Sequence, residues 1–564
     1  MNIDTRPDAV MPGAKSSTTD PVLSIDDLHV LLPAGSERSH AVEAVSYDLA
    51  PQEILCVVGE SGSGKSLTAR AVMGLLPAPH VKYEKGRILF QGEDLTKASD
   101  DRMRQVRGGE ISMIFQEPMT ALNPVMRIGD QIDEVIRFHE NRPRKLRREL
   151  ALQILEDVHL PDPPRIMSAY PHELSGGQRQ RAMIAMALAL EPKVLIADEP
   201  TTALDVTTQA QILRLIKELQ ASHDTGVLFI THDFGVVADI ADRVAVMQHG
   251  RIVEIGPVDK VLNHPEHPYT QALTDAVPSL TPRDAKPVVN EPILKVNKLL
   301  KTYRSGGGWF GFGKPVKEVN ACEYVDVELN ESETLGIVGE SGSGKSTLAR
   351  CIVRLHNSDS GEIIYRGTDL CGLDRAGMRP YRAKIQMVFQ DPYASLNPRA
   401  TVGRIITEGP KLLGESASEA ESRARQMLEL VGLDDRAFER YPHEFSGGQR
   451  QRIGLARALA LQPEILVADE PVSALDVSIQ AQVLNLLADI REKLQLSMVF
   501  ITHDLRVASQ VCDRIAVMRL GKVVEQGPTA QLFENARHPY TQELLDAVPG
   551  REWSRMRALK KMHS

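Results

Sequence analysis

The eight residues GESGSGKS at 59–66 decide the fold of this chain, and the same eight residues return at 339–346. The apolar run ILCVV at 54–58 leads directly into the first copy and predicts a buried parallel strand, and a helical pattern follows through Leu76. In that strand–loop–helix context, the glycines allow backbone N–H groups to surround phosphate oxygens at a helix N-terminus. One such match is sometimes accidental, but two in the same context predict two nucleotide sites.

The two loops belong to a longer repeat. FQEPMTALNP at 115–124 returns as FQDPYASLNP at 389–398, LSGGQRQR returns as FSGGQRQR, and ADEP, ALDV, FITHD and HPYTQ each recur in the same order. Lys65 and Lys345 are 280 residues apart, whereas matching residues from the SGGQ segment onward are 271 apart. We therefore expect a duplicated domain whose copies differ in length only upstream of that segment.

The repeat predicts two α/β domains in tandem. At 564 residues the chain is too long for one hydrophobic core. We place the domains at 21–280 and 292–550, joined at 281–291 by a polar linker that contains two prolines. The tail from Arg551 is rich in Lys and Arg and is expected to form a frayed or peripheral helix.

Composition excludes several classes of protein. The net charge of −9 argues against a protein that coats nucleic acid, which needs a basic surface. No apolar stretch approaches the ~18 residues that span a bilayer, and the first twenty residues lack the apolar segment of a signal peptide. We therefore expect a cytoplasmic protein. Its five cysteines form no C-x-x-C pair and are expected to be free thiols.

The residues of the two loops have distinct expected roles. Lys65 and Lys345 should reach the β- and γ-phosphates of ATP, and the hydroxyls of Ser66 and Ser346 should contact Mg²⁺. The expected nucleotide-binding residues of the two loops are Gly59, Glu60, Ser61, Gly62, Ser63, Gly64, Lys65 and Ser66, and Gly339, Glu340, Ser341, Gly342, Ser343, Gly344, Lys345 and Ser346.

Two apolar runs end in paired acids. Asp198 and Asp469 should hold Mg²⁺ through its water shell. Glu199 and Glu470 follow one residue later and should act as catalytic groups that polarise the attacking water. An Asp-Glu pair after a strand is more often a helix cap or a surface acid, but the neighbouring phosphate loop favours the catalytic interpretation.

The SGGQ segments and two histidines complete the candidate site. A Ser-Gly-Gly that opens a helix is first of all a good N-cap, but its exposed N–H groups also offer a second seat for phosphate. His232 and His503 each follow a predicted strand and are candidate sensors of the γ-phosphate. The expected phosphate-contacting residues of the two segments are Ser175, Gly176, Gly177 and Gln178, and Ser446, Gly447, Gly448 and Gln449.

These motifs, in this order, resemble the ATP-binding cassette superfamily over nearly the whole chain. The resemblance implies two P-loop NTPase domains, each with a mostly parallel core sheet, an antiparallel β subdomain and a helical subdomain. In that family two cassettes pack head to tail, so each ATP lies between one phosphate loop and the opposite SGGQ segment. The resemblance also implies nucleotide contacts for Gln116 and Gln390, and metal contacts for Ser66, Gln116, Asp198, Ser346, Gln390 and Asp469.

A narrower resemblance comes from the FQEPMTALNP-type segments and from HPYTQ at His267 and His538. These look like the dipeptide, oligopeptide and nickel importer branch, and the fused arrangement is similar to glutathione-importer and microcin-type peptide-importer ATPases. Some relatives carry an iron–sulfur cluster after the HPYT segment. This chain has no cysteines there, so we expect ATP and Mg²⁺ but no cluster.

The resemblance implies the partners. It implies an ATP-hydrolysing motor on the cytoplasmic face of the inner membrane, attached peripherally to two membrane permeases that work with a periplasmic substrate-binding protein. Gln116 and Gln390 begin the segments expected to contact the permeases. The imported solute stays open between peptide, glutathione, opine and nickel, and no nucleic acid is expected.

One position departs from the family pattern. The family stacks the adenine ring on an aromatic residue near the start of each domain. Alignment of Leu28 with Leu299 places Tyr303 there in the second copy but Leu32 in the first. A leucine covers the ring without offering a π-face. We therefore expect Tyr303 to bind nucleotide, and we expect both sites to be active.

The main alternative is a tandem-cassette ATPase that acts on the ribosome or on nucleic acid. Such proteins join their cassettes by a long charged helix, whereas the linker here spans about eleven residues. Two weaker features stay open. The basic run at 142–148 is a solvated helix face, a contact for anionic headgroups or the membrane partner, or, last in order, a nucleic-acid contact. The glycine-rich stretch at 305–313 is either a mobile loop or a docking element.

Overall fold

The described part of this computed structural model comprises residues 20–36, 38–117, 121–201, 204–222, 224–283, 291–305, 317–473 and 475–563. In the first half the strands are β1 (Leu23–Leu31), β2 (His40–Leu49), β3 (Ile54–Val58), β4 (Lys82–Phe90), β5 (Glu93–Asp94), β6 (Ile111–Ile114), β7 (Val194–Asp198), β8 (Gly226–Ile230), β9 (Arg243–Gln248) and β10 (Arg251–Pro257). The helices are α1 (Lys65–Val72), α2 (Asp100–Gly109), α3 (Ile128–His139), α4 (Arg144–Asp157), α5 (Pro163–Ser168), α6 (Gly176–Leu188), α7 (Val206–Ser222), α8 (Phe234–Ile240), α9 (Val258–Asn263) and α10 (Pro268–Ala276).

The second half repeats these elements. Its strands are β11 (Pro292–Ser305), β12 (Lys317–Asn330), β13 (Thr334–Val338), β14 (Ser360–Tyr365), β15 (Thr368–Asp369), β16 (Ile385–Val388), β17 (Ile465–Asp469), β18 (Ser497–Thr502), β19 (Arg514–Arg519) and β20 (Lys522–Pro528). Its helices are α11 (Lys345–Ile352), α12 (Arg379–Lys384), α13 (Pro392–Ser395), α14 (Val402–Leu412), α15 (Ala417–Leu430), α16 (Gly447–Leu459), α17 (Val477–Leu494), α18 (Leu505–Val511), α19 (Thr529–Glu534), α20 (Pro539–Asp546) and α21 (Arg551–His563).

Each half is built on a six-stranded, mostly parallel sheet. The strand order is β10-β9-β3-β8-β7-β6 in the first half and β16-β17-β18-β13-β19-β20 in the second. Only the pairs β9–β10 and β19–β20 are antiparallel among the described strands of these sheets. The predicted fold class is confirmed.

The central strand β3 explains why the sheet is covered on both faces. Successive side chains of a strand point to opposite faces. Leu55 and Val57 pack toward the antiparallel β sheet, whereas Cys56 and Val58 pack toward the helices on the other side. A continuous apolar run is therefore required, and its burial drives the carboxyl end of β3 into the phosphate loop.

A four-stranded antiparallel sheet lies beside each core sheet, in the order β2-β1-β4-β5 and β12-β11-β14-β15. The first strand of each carries the same irregularity. Asp27 and Lys298 have φ of 48° and 46°, one residue before Leu28 and Leu299, which pair with corresponding residues of the next strand. This shared irregularity supports the alignment of Leu28 with Leu299.

The helical subdomains follow the segments that begin at Gln116 and Gln390. Helix α3 buries one apolar face, and most of the basic run at 142–148 is exposed at the start of α4. Arg147 of this run donates to Asp133 with an Nε–Oδ1 distance of 2.7 Å. The exposure of the run favours a solvated helix face.

The C-terminal extension of each half packs on the other half. Helix α10 lies on α17, and α20 lies on α7. Between the halves, the Arg506 guanidinium donates to Asp233 at 2.8 and 2.9 Å and to Asp504 at 3.3 Å. Although burial opposes ionisation, the Arg506 charge lowers the pKa of Asp233 to about 2. This largely buried ion pair joins the two halves next to His232.

The tail from Arg551 is helical, as expected, but its start is docked and not frayed. Trp553 is only 6% exposed and belongs to the hydrophobic core of the first half. Its indole N–H donates to Asn263 Oδ1 at 3.1 Å, and the Gly550 amide donates to Asp239 at 2.9 Å. The last helix of the chain therefore completes the first half.

Three expectations stay untested. Residues 284–290 of the linker and 306–313 of the glycine-rich stretch lie outside the described residues. The domain limits 21–280 and 292–550 remain a prediction.

Among the described residues, no helix is both long and apolar enough to cross a membrane.

Candidate nucleotide-binding and catalytic sites

The two phosphate loops, 59–66 and 339–346, have the same internal geometry. Lys65 Nζ donates to the carbonyl oxygens of Gly59 and Glu60 at 2.7 and 2.9 Å, and Lys345 makes the matching bonds at 2.7 and 2.8 Å. Burial lowers the pKa of Lys65, and neighbouring acids oppose that shift. Each lysine is thus held at the centre of its loop, where it can meet a phosphate.

Glycine is required where the loop becomes a helix. Gly64 and Gly344 have φ of 107° and 105°, in the left-handed region that favours glycine. A Cβ on Gly64 would lie 2.5 Å from the Ala41 carbonyl oxygen, and one on Gly344 would lie 1.9 Å from that of Ala321. The loop therefore fits against the antiparallel sheet only with glycine at these positions.

A hydroxyl and a carboxylate meet below each loop. Ser66 Oγ donates to Asp198 at 2.8 Å, and Ser346 Oγ donates to Asp469 at 2.9 Å. Burial raises the pKa of Asp198 and of Asp469. A cation bound at this place would oppose that shift and favour the ionised carboxylates. These hard oxygen atoms fit Mg²⁺, which prefers carboxylate, hydroxyl and water ligands.

Gln116, Glu199 and His232 come together at the end of β7. Gln116 Nε2 donates to Glu199 Oε2 at 2.9 Å, and His232 Nδ1 lies 3.3 Å from Glu199 Oε1. Glu199 has φ of 48°, a strained conformation for a residue with a side chain. Its amide donates to the Ile230 carbonyl at 3.0 Å, which holds this conformation in place.

The second half assembles the same three residue types. Gln390 Nε2 donates to Glu470 Oε2 at 2.9 Å, His503 Nδ1 lies 3.2 Å from the same oxygen, and Glu470 has φ of 46°. Burial opposes ionisation of Glu470, but the hydrogen bond and charge of His503 together with Lys345 lower its pKa. Burial would lower the pKa of His503, but the hydrogen bond and charge of Glu470 raise it. The carboxylate is therefore held ionised.

The SGGQ segments form N-caps. Ser175 Oγ accepts the Gln178 amide at 3.3 Å, and the Gln178 side chain accepts the Ser175 amide at 3.1 Å; Ser446 and Gln449 do the same. This is a capping box at the start of α6 and α16. The simple capping interpretation is correct, and the role of the segments as a second phosphate seat stays a prediction.

Each phosphate loop contacts the opposite half of the chain. Asp476 Oδ1 accepts from the Ser61 amide at 3.0 Å and from its hydroxyl at 2.9 Å. In addition, Ser478 donates to Glu60, and Thr207 donates to Glu340. The halves are therefore arranged reciprocally around the two loops.

The SGGQ glycines lie next to these cross-contacts. A Cβ on Gly177 would lie 3.1 Å from Thr208, the neighbour of Thr207. A Cβ on Gly448 would lie 2.5 Å from Ile479, the neighbour of Ser478. In each half the SGGQ helix thus packs on the helix start that contacts the other half's phosphate loop.

Sequence reasoning missed two tyrosines of the HPYTQ segments. Tyr269 Oη accepts the Glu60 amide at 3.1 Å, and Tyr540 Oη accepts the Glu340 amide at 3.2 Å. Burial raises the pKa of Tyr269 to about 12, so it stays a neutral phenol. The recurrence of HPYTQ was visible in the sequence, but nothing in it indicated a contact with a loop about 200 residues away.

The expected adenine position differs between the halves. Tyr303 lies near the end of β11, is partly exposed, and hydrogen-bonds His356 through its hydroxyl at 2.7 Å. Leu32 follows β1 and packs against the core of its antiparallel sheet. Arg38, in the turn that begins at Leu32, donates to the Gly62 carbonyl of the phosphate loop.

The fold and the paired sites define a P-loop ATPase with two nucleotide sites in one chain. A family model described as ABC transporter matches residues 42–202 and 322–473, and one described as Oligopeptide/dipeptide transporter, C-terminal region, matches 253–299 and 524–562. The chain belongs to the ATP-binding cassette transporter family, as an ATP-binding protein of its oligopeptide/dipeptide group. We therefore call its two halves cassettes.

Two curated relatives support this assignment over nearly the whole chain. The chain is 47% identical to glutathione import ATP-binding protein GsiA of Salmonella paratyphi A and 46% identical to that of Escherichia coli K12. Both alignments cover 97% of this chain and 92% of the relative. The ADP- and Pi-bound dimer of the cassette MJ0796 is 30% identical and covers 42% of this chain and 98% of its own, with a TM-score of 0.38. The ribosome or nucleic-acid alternative is not favoured.

Proposed function

We propose that this chain is the ATP-hydrolysing motor of an importer for glutathione-like or peptide solutes, at the cytoplasmic face of the inner membrane. The observation that carries the proposal is the match to glutathione import ATP-binding proteins over 97% of the chain. The HPYT-containing C-terminal regions in both cassettes support the same branch.

In this proposal each ATP binds between the cassettes. Lys65 and Ser446 serve one nucleotide, and Lys345 and Ser175 serve the other. The contact of Asp476 with Ser61 supports this pairing, because it brings the second cassette to the first phosphate loop. ATP then bridges the cassettes when bound, and loss of the γ-phosphate removes the bridge, which is a switch based on differential contacts.

The proposed chemistry follows from the atoms around Glu199 and Glu470. Each glutamate is the proposed base that orients and polarises the attacking water, since an ionised carboxylate accepts a proton. Each is placed by a Gln amide and a His ring nitrogen. The residues proposed to hold Mg²⁺, which neutralises phosphate charge when bound, are Ser66, Gln116 and Asp198, and Ser346, Gln390 and Asp469.

The proposed permease contacts lie on the helical subdomains. Phe138 and Leu412 occupy matching places at the ends of α3 and α14, and they are 65% and 66% exposed. A single exposed apolar side chain is ordinary, but its recurrence at the same place in both cassettes supports a docking role. Two such surfaces fit two permease subunits, which we propose work with a periplasmic substrate-binding protein.

Transport assays test the proposal. The chain is co-expressed with its candidate permeases and substrate-binding protein, and uptake of labelled glutathione and of a labelled dipeptide is measured. We expect ATP-dependent uptake of one of them, and its loss in the Glu199→Gln/Glu470→Gln variant. ATP-dependent uptake of neither solute by an assembled, ATP-hydrolysing complex would contradict the substrate class but not the motor function.

A further inference from the structure

The antiparallel sheet of the first cassette contains a cluster of two histidines and one glutamate. His29 lies on β1, His40 begins β2 and Glu84 lies on β4, so three adjacent strands each supply one side chain. His40 Nε2 lies 2.8 Å from Glu84 Oε2, and His29 Nδ1 lies 4.0 Å from the same oxygen. One ligand atom of each residue lies within 4.8 Å of the ligand atoms of the other two.

We propose that His29, His40 and Glu84 form a binding site for one divalent transition-metal ion of the Zn²⁺ class. Zn²⁺ takes imidazole nitrogen and carboxylate oxygen at about 2.0–2.2 Å, which places tetrahedral ligands about 3.4 Å apart. Relative to that separation, the His29 Nδ1–Glu84 Oε2 distance of 4.0 Å would shorten and the His40 Nε2–Glu84 Oε2 distance of 2.8 Å would lengthen, each by about 0.6 Å. A set of two nitrogens and one oxygen favours Zn²⁺ and its neighbours over Mg²⁺ or Ca²⁺.

The groups behind the two histidines support the assignment. His29 Nε2 lies 3.0 Å from Asp27 Oδ1, and His40 Nδ1 lies 2.8 Å from Ser39 Oγ. A metal-binding histidine typically presents its second ring nitrogen to such a partner, which orients the ring. The Ala44 amide donates to His29 Nε2 at 3.1 Å. An ion at Nδ1 would select the tautomer with the proton on Nε2, so that Nε2 would donate to Asp27 and give up the bond from Ala44.

The second cassette provides an internal control. The matching positions there are Leu300, Asn320 and Asp359, with no histidine. Asp359 instead accepts from the Lys301 side chain at 2.9 Å and from the Thr302 amide. The second cassette thus places a lysine ammonium beside the carboxylate, where the first cassette places two histidine rings.

The position of the cluster indicates what a bound ion would do. In the turn between β1 and β2, the Leu32 amide donates to the Ser39 carbonyl at 2.9 Å. This turn carries Arg38 to the first phosphate loop. A bound ion would link the three strands at this end of the antiparallel sheet, and it would thereby hold the turn in place beside the first nucleotide site.

The test measures metal binding by the untagged full-length chain, stripped with a chelator and then titrated with Zn²⁺ against a chromophoric competitor. We expect one tightly bound Zn²⁺ per chain. His40→Asn and His29→Leu, which introduce the residues of the second cassette, should weaken binding by at least about a hundredfold. Asp27→Asn should weaken it by about 10–100-fold, whereas the exposed His80→Asn control should bind like wild type.

Co²⁺ gives a second readout, because visible absorption of the bound ion reports tetrahedral nitrogen and oxygen ligands. Thermal unfolding without metal shows that each variant is folded. The proposal is overturned if the wild-type chain binds no Zn²⁺ more tightly than the His29→Leu/His40→Asn double variant does. It is also overturned if folded His40→Asn retains wild-type affinity.

Discussion

The two candidate nucleotide sites of this chain agree at their phosphate loops and differ at the expected adenine positions. Around the phosphates, the bonds of Lys65 and Lys345 agree to within about 0.1 Å. At the expected adenine position, the first cassette has Leu32 beside a sheet that contains histidines, whereas the second has Tyr303 hydrogen-bonded to His356. Hydrolysis tolerates little variation in the geometry around the phosphates. Contacts with adenine change only the affinity for nucleotide, so they can differ between two cassettes of one chain.

The largest expected effect tests whether the phosphate ends of the two sites are equivalent. Glu199→Gln with Glu470→Gln should bind ATP normally but hydrolyse it about 10²–10⁴-fold more slowly, because Gln keeps the shape and loses the basic oxygen. ATPase assays on the assembled complex measure this. The two single variants should lose activity equally if the phosphate ends are equivalent. Near-normal turnover of the double variant would show that these glutamates are not the catalytic bases.

The next prediction tests which phosphate loop and which SGGQ segment act on the same ATP. Lys65→Ala with Ser446→Arg should damage one site and lose little more activity than either change alone, because both residues act on the same ATP. Lys65→Ala with Ser175→Arg should damage both sites and abolish turnover. Nucleotide trapping at each site is the readout.

The control for this experiment is Ser416→Arg, which breaks a capping box of the same kind in the helical subdomain. It should leave trapping at both sites unchanged. If Ser175→Arg abolishes trapping at the first phosphate loop while Ser446→Arg does not, each cassette completes its own site and the shared arrangement is wrong.

A smaller effect should show whether the two sites differ in their affinity for nucleotide. Base–aromatic stacking contributes about 1–3 kcal/mol, so ATP should bind more weakly to Lys345→Ala, which keeps the first site, than to Lys65→Ala. Leu32→Tyr in the Lys345→Ala background should recover part of the difference, and Tyr303→Leu in the Lys65→Ala background should remove it. Nucleotide titration measures all four variants, and equal affinities would refute the assignment of Tyr303.

The smallest effect concerns Tyr269 and Tyr540. Tyr269→Phe removes the acceptor of the Glu60 amide, worth about 0.5–1.5 kcal/mol, and should weaken nucleotide binding at the first site by about two- to tenfold. Tyr540→Phe should do the same at the second site. The exposed Tyr324→Phe is the matched control. An unchanged affinity at both sites would show that these bonds only fasten the C-terminal extensions.

The comparison also shows how far the sequence alone was informative. The β3 strand, the phosphate loop and the Ser175 cap were predictable, because each depends on residues within a few positions of one another. Repetition then identified Glu199 and His232 as a recurring set. The contacts of Arg506 with Asp233 and of Tyr269 with Glu60 were not predictable, because they join residues about 200–270 positions apart and follow only from packing.

The docked tail has a consequence for how this protein is made. The ribosome finishes the first cassette's own elements at Ala276, but Trp553, which belongs to the same core, is added 277 residues later. At about 5–20 residues per second, that core waits about 14–55 s for its last side chain. A premature stop just before Gly550 would therefore leave its lesion in the cassette that was synthesised first.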